Sequence, residues 1–302
     1  MSVNSDSSNF KLLAIFAGIL IFVWGSAYTM VGIGVDYISP IWLVAYRLII
    51  GACLVTAYAF IKGHRFPKLN DRRWPWYLCL GITGSVLPFF LLSTGQKTVD
   101  SGLTSILVGI MPILTIVLAH FFTDEKLNAR KLLGFVIGFI GTVILFIPDS
   151  FSLELVQDWK AQLLIIGAAI CYAVTTVGAK RAPETPSSIA AAMMLIMAAS
   201  IGLIAALISG VPEGVPPLPG LLSIIGLGVG ATGLATILYL YVIQLSGPSL
   251  MARINYFVPV VSVILGVWFL HEPLSWRIIL SFIIILIGVV ISRSGVKAAK
   301  PI

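Results

Sequence analysis

Residues 111–131 read MPILTIVLAHFFTDEKLNARK, and residues 258–278 read VPVVSVILGVWFLHEPLSWRI. Laid over one another, Pro112 falls on Pro259, Glu125 on Glu272, Leu127 on Leu274 and Arg130 on Arg277; the same offset of 147 carries Gly141 onto Gly288. Each stretch is an apolar run closed by a short charged turn. Upstream, an offset of 148 pairs Trp24 with Tyr172 and Gln96 with Gln244. A single register held from residue 112 to residue 141 describes a chain written twice. If each copy holds an odd number of membrane helices, the second copy enters from the opposite face, as in many inverted-repeat carriers.

Composition makes those helices membrane helices. Of 302 residues, 59% are hydrophobic and 10% charged, and the mean hydropathy is +1.05. A soluble domain carries about 25% charged residues, so this chain has too little polar surface to cover itself in water. Ten apolar runs approach the roughly 20 residues that a bilayer requires. They are 11–33, 40–61, 74–95, 101–122, 130–147, 160–181, 187–209, 219–244, 248–270 and 276–292. The joining loops leave no room for a soluble catalytic domain. The polar stretch Met1 to Asn9 lacks a small-residue cleavage site, which reads as a retained first helix and not a cleaved signal peptide. The expected architecture is therefore an all-α integral membrane protein of ten helices. Residues 1–148 would form one five-helix half and residues 149–302 its inverted partner, around a central cavity.

A net charge of +7 would suit nucleic acid if the basic residues clustered, but they lie in short loops beside apolar runs. With the N-terminus placed in the cytoplasm, 14 lysines and arginines fall on the cytoplasmic side, and Lys97, Lys160 and Arg277 make 3 on the other. The positive-inside rule predicts that imbalance, and one missed helix would scramble it. Both termini are expected in the cytoplasm of a bacterial cell, in its inner membrane. Cys53, Cys79 and Cys171 sit singly in apolar runs, which points to small core residues and not to a disulfide or a metal site.

The motif Trp24-Gly25-Ser26, Pro40 followed by Arg47, and the doubled Pro…Glu-x-x-Leu…Gly block resemble the drug/metabolite transporter superfamily, in its EamA branch. The resemblance runs over nearly the whole chain. It implies ten helices, inverted repeats and export of small metabolites. Among family members the sequence looks most similar to bacterial exporters of aromatic and neutral amino acids of the YddG type.

Polar residues within membrane spans are costly and gather at cavities. Here they concentrate on the first, third, fourth, sixth, eighth and ninth spans, which should surround the cavity. The fifth offers only Thr142 and the tenth only Ser281 before its end, so both are expected to face lipid. Candidate substrate contacts are Trp24, Tyr28, Ser85, Tyr172, Tyr239, Asn255 and Tyr256. Pro88, Pro112, Pro259 and Gly230 are candidate kinks or gating points, against a plainer reading as small residues for close packing. Pro112 and Pro259 should free the carbonyls of Val108 and Asn255 by removing a helical N–H. Freed in this way, the Asn255 carbonyl becomes an acceptor for a substrate ammonium.

Arg47 is a buried cation that reads either as a clamp for a substrate carboxylate or as a partner of carbonyls in a broken helix. Arg253 either snorkels to the interface or guards the inner mouth. All 12 acidic residues fall in loops, tails or helix ends, which favours facilitated diffusion over ion coupling. His120 is the intramembrane group suited to a proton relay, though a packing role explains it as well. Gly228-Val-Gly230-Ala-Thr-Gly233 fits a dinucleotide fingerprint but lies inside a membrane run, without the strand that motif requires. Neither a Walker A sequence nor HExxH nor a paired intramembrane aspartate is present, so ATP drive and enzyme readings both lose support. The expected partners are a small-molecule substrate and the lipid bilayer, with no nucleic acid, cofactor or metal, and the carrier is expected to be a monomer. A drug or lipophilic-cation exporter and a proton-coupled antiporter are the alternatives.

Overall fold

Prolines set where many helices of this chain begin. In the computed structural model, which describes residues 3–99, 101–146, 159–212, 214–269 and 276–293, the elements in order are as follows. α1 is Val3–Tyr37, α2 Pro40–Ile61, α3 Arg73–Gly81, α4 Leu87–Gly95, α5 Ser101–Val108, α6 Met111–Phe122 and α7 Ala129–Phe146. α8 is Trp159–Arg181, α9 Ser187–Ile208, α10 Leu218–Gly226, α11 Ala235–Ser246, α12 Pro248–Asn255, α13 Val258–Phe269 and α14 Trp276–Arg293. Wider π-helical turns, Ile82–Val86 and Leu227–Leu234, join α3 to α4 and α10 to α11. Among the described residues there is no strand. Six continuous apolar helices are long enough to cross a membrane: Lys11–Tyr37, Pro40–Ile61, Arg73–Gly95, Trp159–Arg181, Ser187–Ile208 and Leu218–Ser246.

The fourth and ninth expected runs are each two helices in series. α5 stops at Val108 and α6 restarts at Met111; α12 stops at Asn255 and α13 restarts at Val258. The two intervals, 109–110 and 256–257, differ by the same 147 residues found in the sequence. Each helix ends on the residue whose carbonyl proline leaves without its N–H donor four residues on. Pro112 and Pro259 are each the second residue of a helix that restarts, where the missing N–H is not needed, while Pro88 follows the π-turn inside the continuous Arg73–Gly95 helix. Likewise, the π-turn at 82–86, moved by 148, falls within the one at 227–234.

Two helices stand apart as a pair. α7 and α14 pack along their lengths. A Cβ built on Gly134 would lie 2.5 Å from the Gly288 carbonyl oxygen, and one on Gly288 2.5 Å from that of Gly134. Backbones that close admit no side chain between them, so Gly134 and Gly138, spaced as GxxxG, serve packing inside the chain. The outer faces carry exposed Leu133, Ile140, Ile279, Ile283 and Ile287, as lipid contact demands. Elsewhere α2 lies between α9 and the 227–234 turn, and α8 lies against α4 and α6. Thr115, Thr142, Thr176 and Thr236 return their hydroxyls to the carbonyl one turn back, which satisfies them without water.

The helix ends are tied by charges outside the spans. Just ahead of α3, Asp71 accepts from the Arg73 backbone N–H at 2.9 Å, while its carboxylate also takes Arg73 Nε at 2.9 Å and Nη2 at 2.7 Å. The hydrogen bonds from Arg73 hold the Asp71 carboxyl down to about 2, so it stays ionised at any physiological pH. Glu125, after α6, reaches the start of α12. Its carboxylate accepts from the Ser249 hydroxyl and, at 3.3 Å, from the Ser249 N–H, and it pairs with Lys131 at 3.1 Å. A carboxylate at a helix N-terminus satisfies orphan N–H groups and meets the positive end of the helix dipole. Its sequence counterpart Glu272 lies outside the described residues. His120 Nδ1 accepts the Leu127 N–H at 3.2 Å, pinning the same turn.

Candidate functional site

A cavity with about 1110 Å³ of empty space, open solvent at its mouth included, lies where the broken helices meet. Each of the six spans expected to surround it contributes a wall, and α7 and α14 contribute none. On α1 the lining residues are Trp24, Ala27, Tyr28 and Val31; from the turn through α4 and just past it they include Ser85, Phe89, Leu92, Ser93 and Gln96, with Gly84 beside them. Both sets follow the i, i+3, i+4 spacing of one helical face. Val108, Gly109, Met111 and Pro112 come from the α5–α6 interval, and Asn255, Val258 and Pro259 from the α12–α13 interval.

Arg47 reaches this cavity from α2, and it is only 5% exposed. Its Nε donates to Thr232 Oγ1 at 3.0 Å, and its guanidinium carbon sits 3.7 Å from the centre of the Phe89 ring. A guanidinium at mid-helix costs roughly 2.5–3.5 kcal/mol to insert. A desolvated cation–π contact returns about 2 kcal/mol, and a hydrogen bond to a charged group about 1.5–3 kcal/mol net. The cation is therefore held by a hydroxyl and a ring, and not by the broken-helix carbonyls anticipated from sequence. Among the described residues no carboxylate lines the cavity.

The cavity walls are rich in aromatic rings. Trp24 and Tyr239 meet edge to face at 6.0 Å, and the Tyr239 hydroxyl donates to Thr176 Oγ1 at 3.0 Å. Phe89 and Tyr172 are 6.4 Å apart. The Asn255 amide donates to Met111 Sδ at 3.6 Å, bridging the two helix intervals.

The structure gathers Trp24, Tyr28, Ser85, Tyr172, Tyr239 and Asn255 into one cavity, with Arg47, Pro112 and Pro259. Tyr256 is elsewhere. It is 2% exposed, packs on Phe135 and donates its hydroxyl to the Phe135 carbonyl at 2.5 Å, so the ring faces α7 and not the cavity. Helical periodicity explains this, since Tyr256 follows Asn255 by about 100° around the axis. Arg253, partly buried in the last turn of α12, Pro88 and Gly230 also lie off the cavity wall. A Cβ on Gly230 would make only an ordinary 3.5 Å contact with Val23. Phe89 and Met194 line the cavity without having been singled out. Phe89 sits midway between Ser85 and Ser93 at helical spacing, a signal a search for polar residues passes over.

Residues 11–147 and 159–294 each match the profile of the EamA-like transporter family, so the family pattern occurs twice along the chain. The chain belongs to the EamA-like transporter family. It is 27% identical to the uncharacterized inner membrane transporter YedA of Escherichia coli strain K12, over 97% of this chain and 95% of that one. It is 26% identical to the uncharacterized transporter YoaV of Bacillus subtilis, over 88% of this chain and 91% of that protein. One solved crystal structure superposes with a TM-score of 0.76 at 20% identity, covering 93% of this chain and 96% of the other, which shows a shared fold. Family membership together with the apolar helices makes this protein a multi-pass membrane transporter of small molecules.

Proposed function

We propose that this transporter exports amino acids with apolar or aromatic side chains across the inner membrane, by alternating access and facilitated diffusion. The observation that carries the reading is the cavity itself, which sets one guanidinium, Arg47, against walls of Trp24, Tyr28, Tyr172 and Tyr239. A substrate carboxylate suits the guanidinium and an apolar side chain suits the rings. A lipophilic cation would bring its charge to a cavity that already holds one. The lack of a lining carboxylate among the described residues supports passage without a coupled proton or sodium ion.

Residues 1–148 and 149–302 are proposed as inverted five-helix halves of a ten-helix monomer with both termini cytoplasmic. The doubled family match, the offsets of the helix breaks (147) and π-turns (148), and the basic-residue imbalance support this. So does the α7–α14 pair: moved by 147, Gly134 becomes Ser281 and Gly288 becomes Gly141, and those two residues also face each other, with a Cβ on Gly141 lying 3.1 Å from the Ser281 carbonyl oxygen. The YedA name supports an inner-membrane location.

The test is counterflow of labelled amino acids into liposomes holding the purified protein. Phenylalanine or leucine should exchange with no gradient other than its own. Uptake that needs an imposed proton gradient, and that a protonophore abolishes, would sink the uniport reading.

A further inference from the structure

The cavity holds acceptors that none of the contacts above uses. Ser93 is 1% exposed, and its Oγ has no hydrogen-bond partner, nor has the buried Gln96 Oε1 one helical turn on. Both residues line the cavity. α4 ends beside them, with Gln96 following its last residue Gly95, and two further helices end on the same cavity, α5 at Val108 and α12 at Asn255. The last carbonyls of a helix carry its negative dipole end. At Val108 and Asn255 the effect is sharpened, because Pro112 and Pro259 supply no N–H to those two carbonyls. The cavity thus collects one fixed cation and several neutral acceptors, with no lining carboxylate among the described residues. Acceptors without a protein partner are free to take N–H donors that a substrate brings.

We infer that Ser93 Oγ and Gln96 Oε1, with the carbonyls of Val108 and Asn255, form a subsite for the primary ammonium of a zwitterionic substrate whose carboxylate meets Arg47. This rests on the amino-acid reading above and adds a second requirement to it. A substrate must bring three N–H donors as well as an anion. Neutral acceptors suit that task, because the ammonium can leave again more readily than it would from a carboxylate. Asn255 enters through its main-chain carbonyl, while its Nδ2, a donor, is turned to Met111 Sδ.

The experiment compares phenylalanine with phenylpropionate, the same molecule lacking the amine, as competitors of labelled phenylalanine counterflow in liposomes. The parent protein should prefer phenylalanine by about tenfold or more, the size of one lost charge-assisted hydrogen bond. Ser93→Ala with Gln96→Leu should collapse that preference toward unity by weakening phenylalanine alone, with competition by phenylpropionate and the melting temperature unchanged. Each single variant should give a partial collapse, which keeps the test open if the double variant folds poorly. Gln96→Glu should hold phenylalanine more tightly and turn phenylpropionate away. A preference that survives the double variant, or variants that weaken both competitors alike, would overturn the subsite. Equal competition by the two compounds in the parent would overturn the subsite and leave the carrier reading standing. No amino-acid counterflow at all would overturn both.

Discussion

Arg47 and Tyr256 show how much one side chain's neighbours decide. The guanidinium of Arg47 is planar, lies on the Phe89 ring and donates through Nε to Thr232. Lysine would keep the charge but has neither the plane nor an N–H at that position on its stem. Arg47→Lys is therefore expected to lose about tenfold in counterflow rate, and Arg47→Gln to abolish counterflow, read in liposomes against protein content. The Tyr256 hydroxyl spends itself on the Phe135 carbonyl, away from the cavity. Tyr256→Phe should lower stability by about 1 kcal/mol, measured by thermal unfolding in detergent, and leave transport within about twofold of the parent. Sequence reading placed Asn255 and Tyr256 together because they adjoin. What it lacked was the rotation between adjacent residues at a helix end, which sends one side chain into the cavity and the other into α7.

At the scale of elements, the α7–α14 contact makes a sharp prediction. A side chain at Gly134 or Gly288 would meet backbone atoms at 2.5 Å, and backbone cannot swing aside as a flexible side chain can. Gly134→Leu or Gly288→Ala should cost about 1–3 kcal/mol in thermal unfolding. Gly32 on α1 would have nothing within 4 Å of an added methyl, so Gly32→Ala should be neutral or gain up to about 1 kcal/mol from helix propensity. The Glu125 cap on α12 is a second such element, because one carboxylate serves Ser249 and Lys131 together. Glu125→Ala should cost about 1–2 kcal/mol, more than Ser249→Ala, by the same measurement. These elements were legible to different degrees. The two lipid-facing helices could be read from their near-complete lack of polar residues, and the helix breaks from Pro112 and Pro259. The trans cap could not, since nothing local ties Glu125 to a serine 124 positions further on.

For the molecule as a whole, the proposed orientation, drawn from the basic-residue imbalance, puts loop 62–73 on the cytoplasmic side. Cysteines introduced singly there should resist an impermeant thiol reagent in intact cells and react after permeabilisation. Labelling in intact cells would reject the ten-helix arrangement. The family and the helical class were readable from sequence, because a bilayer leaves so few solutions for a chain this apolar. The cavity's makeup was less so: polar side chains advertise themselves in an apolar sequence, while Phe89 and Met194 look like any lipid-facing residue. The glycine crossing of α7 and α14 carries one more consequence. Exchanging the two proposed halves would map that crossing onto itself, which is the property of an isologous interface between identical subunits. On the proposed arrangement each half bears both surfaces of the contact on one helix, so a single ancestral half would have had what it needed to pair with its own copy. Fusion would then have preserved a dimer's interface as an internal seam.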